Sequence, residues 1–229
     1  MSADKEPLFY FRLAHTLNTG YREALLARQA RFRGSRGSIA LISHQAQRPQ
    51  AGIPKLCNNQ LRNEAAVQAL FSAYDALPDP GRKLPEKRVQ AHLLLLALRG
   101  ELPAGCPYRL VTDELALPRP GAEPGGRLVL DIIGFNTATD ALVLGELKYG
   151  RQLSELTRQL DEARACVAAD PDFFSELLAI HGFHWKNPAA IEQVLVWPHS
   201  DSRRAQAPPP GIRVIGYEEA GDTYHFHYS

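Results

Sequence analysis

Asp131, Glu146 and Lys148 are the residues of this sequence whose types and spacing could do chemistry. Successive strand side chains point to opposite faces, and residues 127–135 read as apolar on both: Leu128, Leu130 and Ile132 on one side, Val129, Asp131 and Ile133 on the other. A carboxylate on a strand covered on both sides costs several kcal/mol unless a cation or strong donors meet it. Asp131 therefore requires a partner. Residues 141–148 put Leu142, Leu144, Glu146 and Lys148 on one face, so two acids and an ammonium converge if Asp131 shares it. Two carboxylates a few ångströms apart repel, a divalent cation relieves the repulsion, and hard oxygen donors suit Mg²⁺ or Mn²⁺.

The elements that must position these residues are legible around them. Pro85 can open a helix, and Glu86, Val89, Leu93 and Leu96 fall on one stripe up to Arg99-Gly100, which predicts a helix over about 85–99. Residues 108–117, 127–135 and 141–148 read as strands, the last two joined by the polar loop 136–140. Leu153, Leu156, Leu160, Ala163 and Val167 share one face of a helix over 153–167. Strands over 191–197 and 212–217 follow, and residues 222–228 can close the sheet as an edge strand. The order predicts an α/β fold, a mixed sheet flanked by helices.

Asp131, then Glu146-Leu147-Lys148 after fourteen intervening residues and across a hairpin, resembles the PD-(D/E)XK nuclease superfamily, the restriction-endonuclease-like fold. The likeness runs from about Leu84 to Trp197. In that superfamily an acid-bearing helix precedes a three-stranded meander whose second and third strands carry the Asp and the Glu-x-Lys, and a further helix packs behind. Glu86 stands in the leading helix, and Gln159, eleven residues past Lys148, matches a glutamine that several branches place near the metal. No Pro precedes Asp131; Leu130 stands there.

The resemblance implies that Asp131, Glu146 and the Leu147 carbonyl hold Mg²⁺ or Mn²⁺, that Lys148 orients a water and contacts the scissile phosphate, and that Glu86 holds a second metal or a metal-bound water. Gln159 is implied as a support for a ligand carboxylate. The activity implied is hydrolysis of phosphodiester bonds, with DNA favoured over RNA and a homodimer left open; the rival is a nuclease-fold binding or assembly protein without hydrolysis. A third reading is an unrelated α/β domain binding a small molecule, although no glycine-rich phosphate loop or nucleophile elbow is present.

Composition sets the frame. At 229 residues, 45% hydrophobic and 22% charged, the chain is of ordinary globular composition, which excludes disorder, collagen and coiled coil. The longest apolar run, Leu93 to Leu98, is far short of the roughly 20 residues that cross a bilayer. No secretory signal is read at the N-terminus, and three scattered cysteines (Cys57, Cys106, Cys166) fit a reduced compartment, so a cytoplasmic location is expected.

Net charge is +1, but residues 1–62 carry ten Lys or Arg against three acids. Residues 1–80 therefore read as a basic, mainly helical N-terminal region, with helices over 21–32 and after Asn58 or Asn59 and a strand over 38–43; residues 81–229 read as the nuclease-like domain. Pro78-Asp79-Pro80-Gly81 marks the boundary. Arg28, Arg31, Arg33, Arg36 and Arg151 are the candidates for phosphate contact.

Each residue also has a plainer role. Asp131 and Lys148 can form a cross-strand ion pair with Glu146 facing solvent. Glu86 suits a helix first turn through the macrodipole alone, and Gln159 can be a surface amide. His181 and His184 lack a third ligand at a zinc spacing, and His225 and His227 alternate on the terminal strand.

Overall fold

The computed structural model describes residues 30–35, 38–43, 56–57, 60–76, 85–119, 126–149, 153–199, 208–221 and 223–229. In chain order they form β1 (Ala30–Ser35), β2 (Ser38–Ser43), β3 (Leu56–Cys57), a 3₁₀ turn (Gln60–Arg62), α1 (Glu64–Asp75), α2 (Pro85–Arg99), β4 (Tyr108–Pro118), β5 (Arg127–Asn136), β6 (Ala141–Leu147), α3 (Leu153–Ala169), α4 (Pro171–Ile180), β7 (Ile191–Pro198), β8 (Ile212–Ala220) and β9 (Thr223–Tyr228). One sheet of nine strands runs in the order β3-β2-β1-β4-β5-β6-β7-β8-β9. β4, β5 and β6 form an antiparallel meander, β7 and β8 join parallel to β6, and β9 returns antiparallel at the edge. The chain is thus α/β, with a mixed sheet flanked by helices.

The two faces bury different helices. Val67 and Leu70 of α1, Leu156, Leu160 and Val167 of α3, and Phe174 and Leu178 of α4 pack with Leu115, Leu130, Ile133, Leu142 and Leu144. Val89 and Leu93 of α2 pack on the other face with Val143, Leu147, Val196 and Tyr217. Each buried leucine contributes about 1.5–3 kcal/mol, so these stripes fix which way each helix faces. β6 is buried along its whole length, because α2 covers one side and α3 the other.

Several expectations need correction. The helix expected over 21–32 is not helical from Ala30 on: Ala30 to Ser35 pair antiparallel with Ser38 to Ser43, and Ser35 opposite Ser38 leaves only Arg36-Gly37 to connect the strands. Gly34 lies on β1 opposite Ile39, and period-two spacing fits residues 30–35 as well as a helix does. Of residues 1–80, the described portion is therefore mixed, with three short strands and one helix. α1 begins at Glu64 rather than after Asn58 or Asn59, since Asn63 supplies the cap through Oδ1, which accepts the Ala66 amide at 3.3 Å.

The Pro78–Gly81 cluster lies outside the described residues, but β1 pairs with β4 and α1 shares the core of the meander, so the elements on either side of it join one sheet and one core. A helix not expected, α4, follows α3 directly. Pro171 stands in its first turn, and Phe173, Phe174, Leu177 and Leu178 supply its buried stripe.

Candidate functional site

Asp131 stands where the pleat resets. Leu128, Leu130, Ile133 and Phe135 face one core, whereas Ile132 faces the other, so Asp131 and Ile133 do not share a face as strict alternation predicts. The neighbouring strand resets at the same level. Asp113 pairs with Ile132 and Leu115 with Leu130, which leaves Glu114 opposite Asp131 with its φ at 53° in the left-handed region. On the other side Ile132 pairs with Gly145, so the next step of the ladder sets Asp131 beside Glu146. Three acids from adjacent strands thus lie at one level, all buried.

The partner that burial demands is a backbone amide. Leu147 N–H donates to Oδ2 of Asp131 at 3.0 Å, which puts the carboxylate against the peptide joining Glu146 to Leu147. Gln90 of α2, itself fully buried, donates from Nε2 to the Asp131 carbonyl at 2.9 Å, holding the backbone where the sheet ladder is interrupted. Glu146 is only 1% exposed, so it is not the solvent-facing strand end that the plain ion-pair reading required.

Lys148 departs from the expected face. β6 ends at Leu147, and the Lys148 amide continues the ladder to Val196 O at 3.0 Å, but its Nζ lies 3.8 Å from Oε1 of Glu86, on the α2 side of the sheet. Oε2 of Glu86 accepts the Tyr149 amide at 3.4 Å. Tyr217, buried on β8, donates its hydroxyl to the Tyr149 carbonyl at 3.1 Å and the Lys148 carbonyl at 3.4 Å. Burial pushes the Tyr217 phenol far above its ordinary range, so it acts as a donor. Tyr149 stacks on Tyr217 and bonds Oε1 of Glu219 at 2.8 Å.

Gln159 sits on α3 between Leu156 and Leu160, and its Oε1 is buried without a hydrogen-bond partner. Two buried carboxylates on neighbouring strands, the Leu147 backbone carbonyl and the Gln159 amide oxygen are hard donors of the kind that Mg²⁺ takes. Among the described residues no three His, Cys, Asp or Glu side chains form a preformed cage. Mg²⁺ does not need one, since it commonly uses one or two carboxylates and takes its other ligands from water and substrate phosphate.

The remaining candidates divide. Arg31 and Arg33 belong to β1, and Arg28, Arg36 and Arg151 lie outside the described residues. His181 ends α4, while His225 and His227 lie on the edge strand β9 as expected. Asp113, Glu114 and Gln90 were not singled out in the sequence. A run of two acids inside a strand, Asp113-Glu114, was the available sign, because such a pair must be either exposed or specifically held.

A separate concavity of about 430 Å³ lies between α2 and β9, lined by His92, Leu96, Glu101, Tyr224 and Phe226. The His92 ring stands edge-on to Tyr224, and burial, with Arg99 and His225 nearby, holds its pKa below the ordinary histidine value.

No protein-family model, no curated protein and no solved structure matches this chain.

Proposed function

We propose that this chain is a Mg²⁺- or Mn²⁺-dependent nuclease of the restriction-endonuclease-like fold, acting on phosphodiester bonds of nucleic acid, DNA in preference to RNA. One observation carries the reading: the Asp131 carboxylate is held against the Glu146–Leu147 peptide, with Glu146 buried beside it and Lys148 next in the chain. The element order supports it, since an acid-bearing helix, an antiparallel meander, a covering helix and a strand parallel to β6 follow one another as the resemblance implies.

Asp131, Glu146 and the Leu147 carbonyl are the residues that would hold the cation. Bound there, it would offset charge on a phosphate oxygen and acidify a water. The chain's own residues do the rest. The Leu147 amide fixes the Asp131 carboxylate by occupying Oδ2. Lys148, a compact point charge on a flexible stem past the end of β6, would orient the attacking water and contact the phosphate from the α2 side of the sheet. Gln159 supports the ligand carboxylates through its amide. Arg28, Arg31, Arg33, Arg36 and Arg151 supply phosphate contacts, which makes affinity fall with salt.

The rival reading, a nuclease-fold binding or assembly protein that does not hydrolyse, draws on the lack of a three-acid cage among the described residues. A panel of labelled duplex, single-strand, nicked and RNA substrates with Mg²⁺ and Mn²⁺, run beside Lys148→Ala, separates them. The nuclease reading requires metal-dependent cleavage that Lys148→Ala abolishes. Binding without cleavage under either metal supports the rival.

A further inference from the structure

Lys148 is the member of the Asp...Glu-x-Lys set that lies past the end of its strand, its amide bonded to Val196 O while its side chain leaves the sheet. β6 ends one residue earlier, and a lysine side chain has many rotamers that must be restrained if its ammonium is to sit at a defined point. Two side chains supply restraint from opposite directions. Glu86 reaches down from the first turn of α2 with one oxygen toward Lys148 Nζ and the other toward the Tyr149 amide. Tyr217 reaches across from β8 and bonds the carbonyls of both residues.

We propose that Glu86 and Tyr217 are positioning residues that clamp the Lys148–Tyr149 segment, and that Glu86 serves this clamp rather than a metal. The inference rests on the nuclease reading and assigns two residues to it. Both Glu86 oxygens already face donors of the segment that follows β6, so turning one toward a cation at Asp131 and Glu146 would release either the ammonium or the Tyr149 amide. The Tyr217 ring packs with Val196 and Leu147 regardless of its hydroxyl, so the phenol oxygen can be removed with the packing left intact.

The test compares wild type, Glu86→Gln and Tyr217→Phe in three measurements: Mn²⁺ affinity by calorimetry, kcat and KM for cleavage, and the rate at which an activated ester acylates Lys148, read by mass spectrometry. Misplacing a reacting group by about 1 Å can cost on the order of 100-fold, so both variants should lose at least about tenfold in kcat while KM moves far less. Mn²⁺ affinity should stay within about twofold, whereas loss of a true ligand or its support costs about tenfold or more. Lys148 should be acylated several times faster once the clamp is open. A tenfold loss of Mn²⁺ affinity in Glu86→Gln, or an unchanged Lys148 acylation rate in both variants, overturns the proposal. If the wild type cleaves nothing, the nuclease reading fails, and the acylation rates alone still decide whether the clamp exists.

Discussion

The Leu147 amide donates to Oδ2 of Asp131 at 3.0 Å, at the level where β4 and β5 each carry a residue that breaks their pleat. A side chain thus takes the place of a ladder carbonyl, and stability and function meet in one hydrogen bond. Asp131→Asn can still accept this amide, while Asp131→Ala leaves it buried and unpaired at about 1–3 kcal/mol. Urea denaturation should rank wild type and Asp131→Asn together and Asp131→Ala at least about 1 kcal/mol below; equal losses would contradict the assigned bond. Both variants should lose cleavage.

Glu146→Gln should behave differently. Removing one of two neighbouring buried carboxylates relieves their repulsion, so the thermal midpoint should equal or exceed that of wild type while metal-dependent cleavage disappears. Lys148→Ala, partly exposed and off the strand, should likewise lose activity without a large loss of stability. A midpoint several degrees lower in either variant would mark the group as a structural ion-pair partner.

Glu192, at the far end of β7, provides a control. Its carboxylate accepts from Asn136 Nδ2 at 2.8 and 2.9 Å, from Thr139 Oγ1 at 2.7 Å and from the Tyr108 hydroxyl at 3.3 Å, tying the 136–140 loop to the sheet. Glu192→Ala strands those donors and should cost about 2 kcal/mol. Cleavage at a temperature where the variant is folded should be unchanged, because the Lys148 amide meets the same strand at Val196, near its other end.

The His92 imidazole titrates below its ordinary value of 6.5 in the folded chain, chiefly through burial, with Arg99 and His225 adding repulsion. The unfolded chain therefore binds the proton first as pH falls. Stability contributed by neutral His92 is complete above about 6.5 and is lost on acidification toward the lower folded value. Denaturation series from pH 7.5 to about 5 should show a shallower decline for His92→Gln than for wild type. A steeper decline would reverse the sign.

Much of this is legible in the sequence. The spacing of Val89 and Leu93, and of Leu156, Leu160 and Val167, carried α2 and α3, and the apolar runs carried β4 to β9. Burial of Asp131 and its need for a donor followed from apolar residues on both sides of its strand. Alternation could not reveal where it fails: the reset at Asp131 and Glu114 depends on the register of three strands, which is a nonlocal property. Lys148 leaves the face that alternation predicts because β6 stops one residue short of it. The residues that hold it, Glu86 and Tyr217, come from 62 residues before and 69 residues after, so no local pattern joins them.

The most direct test of the central claim is anomalous scattering from crystals soaked in Mn²⁺. The account predicts a peak bonded to carboxylate oxygens of both Asp131 and Glu146, lost in Glu146→Gln. Saturating Mn²⁺ with no peak between these two side chains, or a peak bonded elsewhere and unaffected by the substitution, would contradict it.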